Sequence, residues 1–292
     1  MTTQTSDEYV IPGKSQGLRG VLAHRYLLSL IVGKEIRVRY RGSYLGMLWS
    51  YAKPATQFLV FFLVIGHFMG MGRAIPNYVI YMFSGIILIN FVNEIIGQGS
   101  RSIVYNKDLV KKIYLPRELF PVAVLRVAIV HFLPQILILL LGTLLFSWRP
   151  GITNLLAAFA GFGIIAIFSL GIALLSSALN VLFRDTENFV DLLLMIATWA
   201  SPILYTVHMV SDVFSGKLEF LWYLYLLNPI TIGTELFHYA FWVPTLDAAS
   251  SINAGLPHLG IWTVIAFAVS IITLLFGERV FRRIDPRFAQ EL

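Results

Sequence analysis

PGITNLLAAFAGFGIIAIFSLGIALLSSALNVLF, residues 150–183, is a run of 34 residues without one Asp, Glu, Lys or Arg. At about 1.5 Å per residue such a run exceeds the hydrocarbon core of a bilayer, about 30 Å thick. It can be one long tilted helix or two short ones. Two halves of about 17 residues, less a turn, would barely span, and two crossings would invert everything downstream. A single tilted helix is expected, with Gly161, Gly163 and Gly171 as places where a neighbouring helix comes close.

Five more uncharged stretches accompany it: Pro54–Gly72, Ala74–Asn93, Val127–Trp148, Leu192–Ser211 and Ala248–Gly277, of 19, 20, 22, 20 and 30 residues. Hydrophobic residues make up 57% of the chain and charged ones 13%, with a mean hydropathy of +0.75. A soluble domain of that balance would leave large apolar patches in water. The expected fold is therefore an all-α integral membrane protein with six transmembrane helices. The absence of cysteine excludes disulfides, thiol nucleophiles and cysteine metal sites. The six histidines are scattered without metal spacing, so no metal site is expected, and His67 and His131 read as hydrogen-bonded packing groups.

Charge placement sets the orientation. With a cytoplasmic N-terminus and one crossing per stretch, 19 of the 22 Lys and Arg residues lie inside, and only Arg73, Arg149 and Lys217 lie outside. The positive-inside rule then puts both termini in the cytoplasm, in the inner or plasma membrane.

Residues 1–17 are expected to be a mobile polar arm without the apolar run of a signal peptide. Residues 18–41 mix Leu22, Leu27, Leu28, Ile31 and Val32 with Arg19, Arg25, Lys34, Arg37, Arg39 and Arg41. This suits an amphipathic helix lying in the membrane surface, attracted by anionic lipids. Residues 42–292 form the six-span domain. Gly42–Gly46 breaks the surface helix before Trp49 and the first span. Asn106–Leu115 reads as a short amphipathic helix in the inner loop, with Asn106 as its N-cap and Pro116 as its stop. Residues 212–247 hold two apolar runs too short to cross. They are expected to form a re-entrant outer hairpin between spans five and six, buried in protein or lining a cavity.

The stretch Arg39-Tyr40-Arg41-Gly42-Ser43-Tyr44-Leu45-Gly46-Met47-Leu48-Trp49 resembles the approach to the first span in the membrane subunits of ABC-type polysaccharide exporters. These carry O-antigen, capsule, teichoic-acid or galactan chains. Lys107-Asp108-Leu109-Val110-Lys111-Lys112 followed by Leu115-Pro116-Arg117-Glu118 resembles the family's first cytoplasmic loop. Arg184-Asp185, Ser201-Pro202-Ile203-Leu204-Tyr205 and Asn228-Pro229-Ile230-Thr231 follow in the family's order. The resemblance runs from about residue 20 to 285. It implies a homodimer with two cytoplasmic ATP-binding-cassette ATPase subunits, exporting a lipid-linked glycan. No G-x-x-x-x-G-K-[ST] loop occurs here, so ATP and Mg belong to the partner, and this chain needs no cofactor of its own. Nucleic acid is not an expected partner.

Candidate sites follow. Arg37, Arg39 and Arg41, with Gly42, Gly46 and Trp49, are candidates to receive a lipid-linked diphosphate, because guanidinium forks match phosphate oxygens. Headgroup anchoring explains the same arginines. Lys107, Asp108, Leu109, Lys111 and Lys112, with Arg184 and Asp185, are the candidate ATPase contacts. Tyr205, Trp222, Tyr225, Asn228, Pro229 and Glu235 are candidates for the exit path. An outer aromatic belt is the more ordinary explanation of the aromatics, and Glu235 is either a gate anchor or a solvated acid. Glu94 and Arg126, near the inner span ends, are expected to pair with each other or with a symmetry mate. Export of a drug or lipid on the same scaffold is the second function class. An integral-membrane enzyme is the third, and the dispersed acids argue against it.

Overall fold

The structure is a computed structural model that describes residues 17–112, 115–214, 219–247 and 255–292. The polar arm up to residue 16, positions 113–114 of the expected inner-loop helix, Lys217 and the start of the last uncharged stretch (248–254) lie outside the described residues.

Helices account for every regular element among the described residues. They are α1 (Gly17–Ala23), α2 (Arg25–Arg39), α3 (Trp49–Phe61, prolonged by a π turn Phe62–Phe68), α4 (Met71–Ala74), α5 (Tyr78–Tyr105), α6 (Lys107–Lys112) and α7 (Leu119–Leu145). Then come α8 (Ile152–Leu182), α9 (Thr186–Trp199), α10 (Val207–Phe214), α11 (Glu219–Leu226), α12 (Pro229–Phe237), α13 (Leu259–Ile284) and α14 (Phe288–Glu291). Five segments are long and apolar enough to cross a membrane: Gly46–Phe68, Tyr78–Tyr105, Leu119–Leu145, Ile152–Leu182 and Leu259–Arg287. The protein is a multi-pass membrane protein. The 34-residue run is one helix, as its length required.

Side-chain contacts fix the helix directions. Phe58 of α3 meets Phe83 of α5 at 4.9 Å, while Gly66, further along, lies against Tyr78. Those two helices are antiparallel. Phe91 of α5 meets Phe162 of α8 at 5.3 Å, and Asn180 Nδ2 donates to the Ser100 carbonyl at 3.0 Å, so α5 and α8 are parallel. Gly163 faces Phe267 and Gly171 faces Leu274, which makes α13 parallel to α8. Helix α7 runs against α5, with Phe132 at 4.9 Å from Phe91. One end of the bundle thus gathers α2, α6, the Arg184–Asp185 connection and the C-terminal segment.

Helix α5 is the axis of the bundle and is buried on nearly every face. Helix α13 buries only Ala266, Ser270, Gly277 and Phe281, one stripe of mostly small residues turned to α8. Up to Phe276 most of its remaining surface is apolar, as for a helix with lipid on one side, and Glu278, Arg279, Arg282 and Arg283 follow near its C-terminal end. Gly161 lies against Phe237 and Gly233, and Gly171 against the α13 backbone, so both serve the close packing expected of them. Gly163 does not: the nearest atom to a Cβ there is 3.8 Å away.

Four expectations change. The surface helix over 18–41 is two helices, broken at His24, whose Nδ1 bonds the Gly20 carbonyl at 2.8 Å. Gly17 belongs to α1 rather than to the polar arm. Its amide donates to Glu118 Oε1 at 3.2 Å, and the Leu18 amide donates to Glu278 Oε1 at 3.0 Å. The inner-loop helix is described only as Lys107–Lys112, and Leu115 is outside it. Asn106 contributes its carbonyl to α6, while its side chain goes elsewhere.

The largest change is at Leu192–Ser211, which is not one helix. Helix α9 stops at Trp199, and an irregular segment through Pro202 leads to α10. Proline removes a donor and disfavours helix at the residue before it. The freed carbonyls find partners on α5. The Tyr81 hydroxyl lies 3.1 Å from the Pro202 oxygen and 2.7 Å from that of Tyr205, and the Tyr78 hydroxyl donates to Leu204 at 3.3 Å. Irregular backbone inside a membrane bundle needs such partners. Tyr81→Phe should therefore cost about 1–2 kcal/mol, the penalty for a buried carbonyl left unpaired. Thermal unfolding of the purified variant in detergent checks it. A midpoint equal to the parent's would mean the tyrosine does not hold the break.

In the 212–247 segment, α12 is buried along its whole length. Asn228 caps it by accepting from the Ile230 amide at 3.0 Å, and Pro229 takes the first helical position. The chain then passes through a π turn, His238–Trp242. Its carbonyls accept from neighbours: Trp148 Nε1 bonds Ala240 at 3.1 Å and Asn154 Nδ2 bonds Tyr239 at 2.8 Å.

Candidate functional site

Polar residues recur on one face of α5 at four-residue intervals: Asn90, Glu94 and Gln98. Helix α7 offers His131 and Gln135 at the same interval. Residues three or four apart share a helix face, and here the two faces look into one cleft of about 730 Å³. The end of α2 brings Arg39 and Tyr40 to its mouth. Gly42 and Gly46, at φ 73° and 50°, then turn the chain into α3. A Cβ at either glycine would meet nothing within 4 Å, so the backbone angle and not crowding calls for glycine. The turn lays Trp49, Ser50, Pro54 and Gln57 over the cleft.

The bonds inside are specific. Glu94 Oε1 is paired with Arg39 Nη1 and lies 2.6 Å from His131 Nδ1. A carboxylate only accepts, so the proton between them sits on Nδ1. Nε2 then accepts from the Tyr40 hydroxyl at 2.9 Å, and Tyr40 in turn takes a bond from Ser50. Arg39 and Glu94 cancel in charge. Gln135 donates through Nε2 to the His131 carbonyl at 3.0 Å, which leaves its Oε1 buried without a partner. Asn90 Nδ2 is also buried without one.

The expected site residues fall into three places. Arg39 and Trp49 line the cleft, and Gly42 and Gly46 build its rim. Arg37 and Arg41 are exposed beside it, with Arg37 Nε bonded to the Gly33 carbonyl at 3.1 Å. Glu94 is paired as expected of an intramembrane acid, but with Arg39 and His131. Arg126, its expected partner within the chain, stands exposed on α7. His131 is a hydrogen-bonded group, and it also faces the cleft.

At the same end, α6 exposes Lys107, Asp108, Lys111 and Lys112, half-buries Leu109 and buries Val110. Lys34 Nζ donates to Asn106 Oδ1 at 2.5 Å, and Asn106 Nδ2 reaches Glu35 at 3.4 Å, so α2 is clamped to the α5–α6 junction. Arg184 and Asp185 are exposed. Next to them Arg101 ties α5 to Glu187 at 2.6 Å and to Asp191 on α9.

The exit candidates sit at the opposite end. Tyr205 donates to the Trp199 carbonyl at 2.8 Å, and Trp222 stacks on Tyr225 at 5.9 Å. Glu235 is not a solvated acid. It is buried and pairs with His238 Nδ1 at 3.0 Å, and the His238 ring stacks on Tyr81 at 3.8 Å. A larger cavity of about 970 Å³ lies there between α8, α12 and α13, but its walls are mostly aliphatic. The cleft at the α6 end has the convergent polar groups that mark a binding site.

A helical membrane bundle with a polar cleft on one side and a charged helix beside it has the form of a transport protein. The chain belongs to the ABC-2 type transporter family, which it matches over residues 26–242. An O-antigen export system permease protein RfbA of Klebsiella pneumoniae is 27% identical over 270 residues, 91% of this chain and 95% of its own length. One from Myxococcus xanthus is 27% identical over 277 residues, 94% of this chain and 98% of its own. The polysialic acid transport protein KpsM of Escherichia coli is 22% identical over 253 residues, 85% and 90% of the two chains.

Proposed function

We propose that this chain is the membrane subunit of an exporter that carries a lipid-linked polysaccharide outward across the inner or plasma membrane. ATP hydrolysis, with its Mg, drives it from a separate ATPase chain. The observation that carries this is similarity along nearly the whole chain to permeases named for O-antigen export and polysialic acid transport. Two copies of this chain associate with two ATPases.

Six crossings fit the packing. Glu187 lies beside Arg101 and Leu204 beside Tyr78. The segment from α9 through the break therefore runs along α5 from residue 101 to residue 78, about 35 Å at 1.5 Å per residue. That depth matches a bilayer core, and the Pro202 segment makes the fifth crossing a discontinuous one. Both termini are then cytoplasmic, and residues 212–247 enter from outside and return. Helix α2, with Tyr26 and Val38 exposed among its basic residues, lies in the cytoplasmic surface.

The glycolipid arrives beside α2, where the exposed Arg37 and Arg41 receive its phosphates. The glycan leaves past Tyr205, Trp222 and Tyr225. Helix α6, clamped to α2 through Asn106, is the surface pressed by the ATPase, with Arg184 and Asp185 next to it. The test is copurification from native membranes in mild detergent, where a P-loop ATPase should come with this chain. The double variant Lys111→Glu/Lys112→Glu should reduce the recovered ATPase about tenfold, the effect of juxtaposing wrong charges at an interface. Its unfolding midpoint should stay at the parent's, because both lysines are exposed. No ATPase with the parent protein would end this proposal.

A further inference from the structure

We infer that the cleft between α2, α3, α5 and α7 binds an uncharged sugar ring, and not the phosphates of the carrier lipid. This rests on the export function proposed above, and names which part of the cargo the cleft takes.

Charge is the first reason. Among the described residues that line the cleft, the one Lys or Arg is Arg39, and it is already paired with Glu94. A phosphate there would face the Glu94 carboxylate as well, and like charges at such distances repel strongly in a partly buried site. The unpaired basic groups, Arg37 and Arg41, are exposed on the rim outside.

Bonding capacity is the second. The remaining polar lining is amide and hydroxyl, groups that donate and accept without carrying charge. Two of these groups lack partners. Asn90 Nδ2 is a buried donor and Gln135 Oε1 a buried acceptor, on a side chain only 7% exposed. Buried polar atoms are normally bonded, and both of these belong to residues that line the cleft. Neighbouring hydroxyls of a pyranose offer the complementary donor and acceptor.

Shape is the third. Trp49 presents an apolar aromatic surface to the cleft, suited to the C–H face of a sugar ring. The volume of about 730 Å³ holds a ring with room to spare, and lies within the range of small-molecule sites.

The experiment uses the full chain in lipid nanodiscs. Radiolabelled octyl β-glucoside, octyl phosphate and octanol are each measured against protein-free nanodiscs. Octyl glucoside should bind saturably and octanol should not. Asn90→Ala and Gln135→Ala should each weaken glucoside binding about fivefold, the size of one lost neutral hydrogen bond. Octyl phosphate binding should not change in either variant. Glu94→Gln leaves Arg39 uncompensated, and should strengthen octyl phosphate binding about tenfold. If Gln135→Ala does not elute as folded protein, Gln135→Met keeps nearly the same volume and removes the same acceptor.

Equal binding of octanol and the glucoside would show a lipid-tail groove and overturn the inference. So would glucoside binding unchanged in both amide variants, or octyl phosphate binding that depends on Gln135. If an ATPase copurifies and the glucoside does not bind, the inference alone fails. If no ATPase copurifies, the export proposal fails while the glucoside result still reports on the cleft.

Discussion

Gly277→Ala is expected to be among the most damaging single changes in the bundle. A Cβ at Gly277 would lie 2.1 Å from the carbonyl oxygen of Gly171 and 3.0 Å from its carbonyl carbon. A Cβ at Gly171 would in turn lie 2.7 Å from the Leu274 backbone. The obstacle is main chain on both sides, so no rotamer change relieves it. Helices α8 and α13 would have to move apart by roughly 1 Å, losing the close packing that substitutes for the hydrophobic effect between membrane helices. Overpacking of this kind costs about 3 kcal/mol. The unfolding midpoint in detergent should fall by about 6–10 °C. Gly163→Ala, on α8 and also facing α13, is the control. Its nearest neighbour would be Phe267 at 3.8 Å, so its midpoint should be unchanged or slightly raised. If the two alanine variants melt together, the helices do not cross where Gly171 and Gly277 meet.

The long helices were legible because a bilayer imposes length and apolarity on whatever crosses it. Residues 152–182 could be assigned as one helix from the uncharged run alone. The break after Trp199 was not legible by the same rule. Leu192–Ser211 satisfies the length and polarity conditions, yet Pro202 interrupts it and Tyr78 and Tyr81, far away in sequence, supply the bonds that permit this. A local pattern cannot report a remote donor. The split of residues 18–41 at His24 is similar. Helix α1 turns away because Glu118 and Glu278 hold its first amides.

The site was half legible. Basic residues and glycines before Trp49 marked the rim, since charge and φ > 0 leave local signatures. The cleft itself is lined by Asn90, Gln98, Gln57 and Gln135, uncharged residues that a search for ionisable groups passes over. Their signal was present as spacing: Asn90, Glu94 and Gln98 recur every fourth residue in an otherwise apolar helix, and His131 and Gln135 repeat it on α7. Pairing Glu94 with Arg126 was reasonable from depth, because both lie near span ends. It did not hold within the chain because α2 packs along α7 and its end delivers Arg39 to Glu94.

Glu94→Leu should show what that delivery is worth. The substitution removes the acceptor of two bonds at once, leaving Arg39 without an anion and the His131 Nδ1–H without an acceptor. Breaking a fully buried pair by deleting one partner costs about 3–5 kcal/mol. Arg39 is 33% exposed, so water recovers part of the loss, and about 2–3 kcal/mol is expected here. The loss has a location as well as a size. Amide exchange over residues 33–40 should quicken, since Arg39 and Tyr40 hold the end of α2 against α5 and α7. Arg39→Leu/Glu94→Leu should be less destabilised than the sum of its single variants by about 1–2 kcal/mol, because no unpaired charge remains. Arg126→Ala should move the midpoint by less than about 0.5 kcal/mol equivalent, as an exposed side chain outside this network. Reversing both charges in Glu94→Arg/Arg126→Glu should rescue nothing within one chain, because Arg39 would then face another arginine. If Glu94→Leu leaves both the midpoint and the exchange over residues 33–40 unchanged, the ion pair does not anchor α2, and the cleft is closed by packing alone.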